Sequence, residues 1–459
     1  MKNIQTETIE QPNGKITNYL KDKLKDVHLR ELLKGSSISM IIKVLGIAMS
    51  YIFTLMVTRN FGVEAMGIFA ISLTMLNIVS IIGRLGFDTA LLRFVAEYSS
   101  QDKWEKVREV YIKAIKLVIP LCIILSILFF FVSPYVAKYF FKKEYLTSYF
   151  RLISIAILPM SVKFINQESL RGLRKIKEYT FFQNVSVYLF SALFLACFMF
   201  FTREKYVPVV SLLASVFFVA IFSLCKWIKC SKFTTTITVN TIKINNILAV
   251  SLPMLLSNSI YFIMQWTDTI MLGMLRTVNE VGVYNVTLKV APITSISLLA
   301  INSIAAPKFA EFYGKGDMKG LEKTVHHSTK IIFWSSFPIL LIFFIFPSWI
   351  LGLFGEEFKA GVYALLLLTI GQFVNAISGS VGYFLTMTGK QNIHQKILLI
   401  AITMNIIINA LLIPKYGING AAFASFICMV FWNLSMVFYI KKEFNFFMLY
   451  IPYVKKIWR

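Results

Sequence analysis

Charged residues are scarce in this chain, at 15% of positions, where soluble globular domains carry about 25%. The hydrophobic share of 57% is more apolar surface than a soluble core can hide, so lipid must be the solvent for much of it. Acids are scarcer than bases: 23 Asp and Glu against 47 Lys and Arg, a net charge of +24. The bases lie in short segments between oily runs, with no single stripe alternating with exposed aromatics, so nucleic acid is not an expected partner. Cysteine is sparse too. Cys122, Cys197, Cys225, Cys230 and Cys428 lie in or beside apolar runs, with neither zinc-finger spacing nor the pattern of a disulfide framework. His28, His326, His327 and His394 form no ligand pattern with carboxylates, so neither a metal nor a cofactor is expected. A Walker A loop is missing. The nearest stretch, GYFLTMTGKQ (382–391), has the wrong glycine spacing and ends in Gln, which argues against ATP hydrolysis.

What is present is a series of apolar runs, such as LVIPLCIILSILFFFVS (117–133) and IIFWSSFPILLIFFIFPSWIL (331–351). Each has the roughly 20-residue length that crosses a bilayer. Hydropathy places spans near 36–58, 64–83, 111–133, 151–170, 180–201, 206–228, 248–275, 282–306, 330–353, 360–388, 396–413 and 419–440. Residues 1–35 contain no uninterrupted apolar core and so do not read as a signal peptide. Ile16, Leu20, Leu24 and Val27 instead form one face of a helix suited to lying on the membrane surface. Most Lys and Arg fall in the N-terminal segment, the even-numbered turns and the C-terminal tail, which predicts cytoplasmic termini. The longest outer turn, PYVAKYFFKKEYLTSYF (134–150), has one carboxylate and no room for the acceptor site of a membrane glycosyltransferase. The chain does not read as an enzyme.

The two halves resemble each other. RNFGVEAMGIF (59–69) matches RTVNEVGVY (276–284), and RFVAEYSSQDKWEKV (93–107) matches KFAEFYGKGDMKGLEKTV (308–325). LRGLRK (170–175) falls opposite MTGKQN (387–392), and KYVPVVSLLAS (205–215) opposite KYGINGAAFAS (415–425). Four matches in order at nearly constant offset indicate a duplicated six-span unit. The expected fold is an all-α integral membrane protein of 12 transmembrane helices, in two parallel-repeat six-helix lobes around a central cleft. The divisions would be a cytoplasmic amphipathic segment (1–35), an N-lobe (36–228), a cytoplasmic linker (229–247), a C-lobe (248–440) and a cytoplasmic tail (441–459).

Ionisable residues inside spans are costly, about 2.5–3.5 kcal/mol at a helix centre, and are functional candidates by default. Asp268 and Lys289 lie at matching depth on consecutive spans. Either they neutralise each other, or Asp268 takes up a proton or cation and releases Lys289 toward an anionic substrate. Lys43 and Lys163 have no acid at similar depth on the adjoining span. They either snorkel to the inner interface or offer a phosphate positive charge in the cleft. Arg84 and Arg93 extend that positive region, or pair with Asp88 and Glu97. The amides Asn77, Asn166, Gln167, Asn258, Gln265, Gln372, Asn375, Asn405 and Asn409 suit interhelical hydrogen bonds. For Asn77, Asn258 and Gln265, contact with sugar hydroxyls is the alternative.

VTRNFGVEAMGIFAISLTMLNIVSIIGRLGFDTALLRFVAEY (57–98) resembles the N-terminal signature of the polysaccharide biosynthesis, or oligosaccharide flippase, family, which includes the Wzx-type flippases. NIIINALLIPKYGINGAAFAS (405–425) resembles that family's region of spans 11 and 12, and the likeness runs from about residue 34 to 440. The resemblance implies membership of the multidrug/oligosaccharidyl-lipid/polysaccharide exporter superfamily. It implies a cavity lined by spans 1, 2, 7 and 8, with Lys43, Asn77, Arg84, Asp268 and Lys289 as residues facing it. Arg93 and Lys163 would be phosphate or gate residues, and Asp268 the group for any H+ or Na+ coupling. The implied substrate is an undecaprenyl-pyrophosphate-linked oligosaccharide, moved across the cytoplasmic (inner) membrane by alternating access for surface polysaccharide such as O-antigen or capsule. Membrane lipids and polysaccharide assembly machinery are the implied partners. The rival within the superfamily is a cation-coupled multidrug exporter.

Overall fold

The computed structural model describes the backbone of residues 27–231, 242, 244–450 and 452, and the side chains of these except 27–37, 253 and 256–262. The proposed surface face at Ile16, Leu20 and Leu24, most of the linker and the Asn258 side chain lie outside the described residues. All regular structure among the described residues is helical. Among the described residues, eight helices are long and apolar enough to cross a membrane, or nine if the bent pair α4 (Leu146–Ser154) and α5 (Ile157–Gly172) is one span. Large apolar side chains such as Phe200 (88% exposed) and Leu411 (66%) face outward, as they do where lipid is the solvent.

Two of the helices are hairpins. α1 (Val27–Arg84) is interrupted at Gly62, where φ is 78° and ψ is −174°. The rings of Phe53 and Phe69 are 5.0 Å apart, although 16 residues of straight helix would separate them by about 24 Å. The chain therefore doubles back at Gly62, a backbone conformation open to glycine. At the other end of the sequence, α16 (Gln391–Phe444) breaks at Gly417, with φ 54°. Its Asn409 and Ser425, again 16 residues apart, both bond the carboxylate of Asp268.

Between these hairpins the sequence supplies its own punctuation. α2 (Phe87–Ser100) follows Leu85 and Gly86, both at positive φ. This helix lies inside a segment that the sequence reading treats as a turn. Then come α3 (Trp104–Tyr135), the α4–α5 pair bent by 48°, the short α6 (Ile176–Thr180), α7 (Ser186–Phe198) and α8 (Val207–Cys230). The C-terminal half begins with α9 (Ile244–Leu275) and α10 (Val278–Val290). Thr277 caps α10 by accepting from the Glu280 amide. α11 (Ile296–Gly314), α12 (Met318–Ile345), α13 (Pro347–Gly352), α14 (Val362–Ser378) and α15 (Val381–Met387) lead to α16.

The halves meet where α10 crosses α1. A Cβ on Gly67 would lie 2.0 Å from the Val278 carbonyl oxygen, and one on Gly282 would lie 2.2 Å from that of Val63. The contact is reciprocal between matching repeat positions, a local twofold that works because neither glycine has a side chain. Polar contacts latch the same end of the bundle. Arg59 donates to the carbonyls of Leu353 (2.7 Å) and Gly352 (3.0 Å), and the Val63 amide donates to Glu357 (3.3 Å). Lys143 reciprocates from the N-terminal half, donating to the Gly273 carbonyl (2.8 Å). The tip of the α1 hairpin and the end of α9 are thus each held by a loop of the opposite half.

Candidate functional site

Asp268 sits on α9 at 4% exposure and accepts three hydrogen bonds. Tyr284 of α10 donates at 2.6 Å, while Asn409 (2.7 Å) and Ser425 (2.5 Å) reach it from the two arms of the α16 hairpin. Asn409 also donates to Asn405 at 3.0 Å, and its own Oδ1 is buried without a partner. A cavity of about 270 Å³ opens on this cluster, lined in part by Gln265, Asn405, Cys428 and Trp432. Three donors on one carboxylate stabilise its charged form. The surrounding amide and hydroxyl oxygens give the site the oxygen-rich character that suits a hard cation.

Lys289 is not part of this cluster, and the expected Asp268–Lys289 pair does not form. Its ammonium donates to Thr54 of α1 at 2.8 Å and lies 5.3 Å from the Tyr188 ring and 6.0 Å from that of Phe69. The reason is direction around the helix. Five residues separate Tyr284 from Lys289, a rotation of about 140° at 3.6 residues per turn. Tyr284 faces Asp268, so Lys289 faces α1 instead. The Tyr51 hydroxyl donates to the Lys289 carbonyl. Lys289, Tyr51, Ser50, Ile47 and Pro292 line a second cavity, of about 160 Å³, between α1 and the α10–α11 connection. Among the described residues no carboxylate forms an ion pair with Lys289.

Lys43 lies on the face of α1 that carries Ile47, Ser50 and Thr54, by helical spacing, and its side chain is exposed. Arg84 and Lys163 are deeply buried and share one aromatic ring: the guanidinium is 4.0 Å and the ammonium 4.1 Å from the Phe164 centroid. Arg84 pairs with Asp88 at 3.4 Å, the structural alternative foreseen for it, while its Nε is buried without a partner. Lys163 is enclosed at 3% exposure, so it does not snorkel. Arg93 is exposed on α2 and does not join them, nor does it pair with Glu97 among the described residues. Asn77 donates to the Leu73 carbonyl of its own helix. Asn166 links α3 to α8 by accepting from Tyr111 (2.6 Å) and donating to Ser223 (3.0 Å). Among the described residues no three His, Cys, Asp or Glu side chains converge as a metal site.

Tyr284, Ser425, Thr54 and Tyr188 escaped the sequence reading because nothing local marks a hydroxyl as a charge partner. For Tyr284 and Ser425 there was a signal, their places in the repeat matches at 276–284 and 415–425.

The sequence profile of the polysaccharide biosynthesis proteins matches residues 32–313, more than half of the chain. The chain belongs to that family. The MatE profile matches residues 253–411, so the C-terminal half also carries the mark of the wider transporter superfamily. An uncharacterised membrane protein of Methanocaldococcus jannaschii is 25% identical over 88% of this chain and 84% of its own length. The probable low-salt glycan biosynthesis flippase Agl15 of Haloferax volcanii is 26% identical over 35% of the chain and 34% of itself. The capsular polysaccharide biosynthesis protein CapF of Staphylococcus aureus is 25% identical over 45% and 52%. The chain thus matches about a third to a half of the length of those two named relatives. In fold it is similar to the lipid II flippase MurJ in an inward closed conformation, with TM-score 0.70 and 15% identity over 90% of this chain and 89% of that one. It is similar also to an inward-facing MATE-family multidrug resistance transporter, with TM-score 0.68 and 15% identity over 89% and 98%. This family member is therefore a multi-pass membrane protein, helical in all the regular structure of its described residues.

Proposed function

We propose that the chain flips a polyprenyl-pyrophosphate-linked oligosaccharide from the inner to the outer leaflet of the cytoplasmic membrane by alternating access. The observation that carries this reading is Lys289. Among the described residues, a half-buried ammonium held by a hydroxyl and aromatic faces with no carboxylate partner, in a cavity between the halves, is positive charge awaiting an anion. Lys43, on the same face of α1, continues the positive strip along the cleft. A pyrophosphate supplies the missing charge. The named flippase and capsule relatives favour a glycan on that phosphate.

The two hairpins counted as two spans each, the α4–α5 pair as one and α9 as one bring the eight long helices to twelve. Two six-helix lobes, 36–228 and 248–440, follow from that count and the repeat, with the linker 229–247 and tail 441–459 on the cytoplasmic side. The latched end then faces outward, and Arg59, Glu357 and Lys143 form an outer gate that is shut. Asp268, separate from Lys289, serves as the cation site for H+ or Na+ coupling. A cation-coupled drug exporter is the second reading, favoured by the MatE match. It places the acid in the substrate path, whereas here Asp268 and Lys289 occupy different cavities.

Deleting the gene in its host and assaying the sidedness of lipid-linked oligosaccharide tests the reading. Accumulation on the cytoplasmic face, with loss of surface polymer, is expected. Normal sidedness with new sensitivity to cationic drugs overturns it in favour of export.

A further inference from the structure

The 48° bend between α4 and α5 opens a groove away from the cleft. Ile123, Ile127, Phe130 and Phe131 of α3 form one wall, and Ile155 and Leu158 at the bend form the other, around about 400 Å³. The lining is almost wholly apolar. Its hydroxyls are Ser126, buried without a partner, and Ser154, which donates to the Arg151 carbonyl. From Phe131 to Ile123 the groove descends eight residues, about 12 Å of helix. One leaflet's hydrocarbon is about 15 Å deep.

At the rim, on the latched side, the Arg151 guanidinium lies 5.1 Å from the Phe130 ring. Among the described residues it forms no ion pair. Glu144, the only carboxylate of the 134–150 loop, is taken by Lys138 at 2.8 Å, and that contact holds its carboxyl below the ordinary value. The rim is therefore cationic beside an acyl-sized slot. Arginine binds phosphate through a planar fork of donors, and its aliphatic stem packs on apolar surface.

We propose that this groove is a binding site for one anionic phospholipid of the leaflet on the latched side. One acyl chain lies between α3 and the α4–α5 bend, and the phosphate sits on Arg151. The occupant is a bulk phospholipid rather than the transported carrier, because α3 and α4 pack chiefly on helices of the N-terminal half. The Lys289 cavity, by contrast, lies between α1 and the C-terminal half. The bound lipid would brace the bend in α4–α5 while the cleft works, and it does not depend on which cargo the cleft carries.

The full chain, reconstituted in vesicles of phosphatidylcholine with phosphatidylglycerol and then released into mild detergent, is assayed by native mass spectrometry for retained lipid. Arg151→Gln is expected to reduce retained phosphatidylglycerol about tenfold, as for loss of one charge-assisted bond. Leu158→Trp, which fills the slot, is expected to do the same with Arg151 intact. Lys142→Gln, which removes an exposed charge of the same loop, is expected to leave retention unchanged. Gel filtration and thermal unfolding establish that each variant is folded. Equal retention in the wild type and folded Arg151→Gln overturns the proposal. So does equal retention of phosphatidylcholine, or displacement of phosphatidylglycerol by added polyprenyl phosphate.

Discussion

Asp268 and Lys289 show how much a buried charge depends on its immediate donors. A hydrogen bond to an ionised group contributes about 1.5–3 kcal/mol. The three donors on Asp268 therefore offset part of the cost of its burial. Lys289 has one hydroxyl and two aromatic faces, which hold it more weakly and leave it available to an anion. The two residues should then act independently. In vesicles loaded with lipid-linked oligosaccharide, Asp268→Asn is expected to abolish dependence of transport on the ion gradient. Lys289→Gln is expected to lower transport by about tenfold while keeping that dependence, and the losses of the double variant should multiply. A double variant no worse than either single one would mean that the pair works as a unit after all.

At the scale of elements, glycine decides where chains turn and how closely they cross. Gly62 and Gly417 end one arm of each hairpin with positive φ, while Gly67 and Gly282 bring backbones together across the halves. Gly67→Val puts a Cβ 2.0 Å from the Val278 carbonyl oxygen and forces the crossing apart. Overpacking of this kind costs about 1–3 kcal/mol. Because the strain falls on the contact between halves, the variant is expected to fold, with a lower thermal midpoint and a looser latched end. Faster labelling of a cysteine placed at Asn60, an exposed tip residue, would report the loosening. Unchanged labelling together with an unchanged midpoint would show that the crossing yields without cost.

For the whole molecule, the shut end is a balance rather than a weld. Arg59 contributes two hydrogen bonds between the halves and Glu357 one, each with a net value of about 1 kcal/mol. Removing them with Arg59→Ala and Glu357→Ala is expected to shift the closed-to-open ratio at this end by tenfold or more, since about 1.4 kcal/mol is a factor of ten. Spin labels at Asn60 and Lys359, on opposite halves and both exposed, would show a second, longer distance in the variant. A distribution identical to that of the wild type would mean that the glycine crossing alone keeps the end shut.

Composition was enough for the membrane class and the helical fold. Lipid tolerates only backbones that satisfy their own hydrogen bonds, so apolar length translates directly into helix. The same logic marked Asp268, Lys289, Lys163 and Arg84 as residues that need a reason to be where they are. It was silent on partners. Helical periodicity gives the depth of a side chain, but which neighbour it meets depends on the rotation of its helix against others distant in sequence. Thus Tyr284, Asn409 and Ser425 converge on Asp268, and Lys289 turns to Thr54. The break that opens the α3–α5 groove was hidden for the same reason. A run of apolar residues reads alike whether its helix is straight or bent by 48°, and only packing against its neighbours chose the bend.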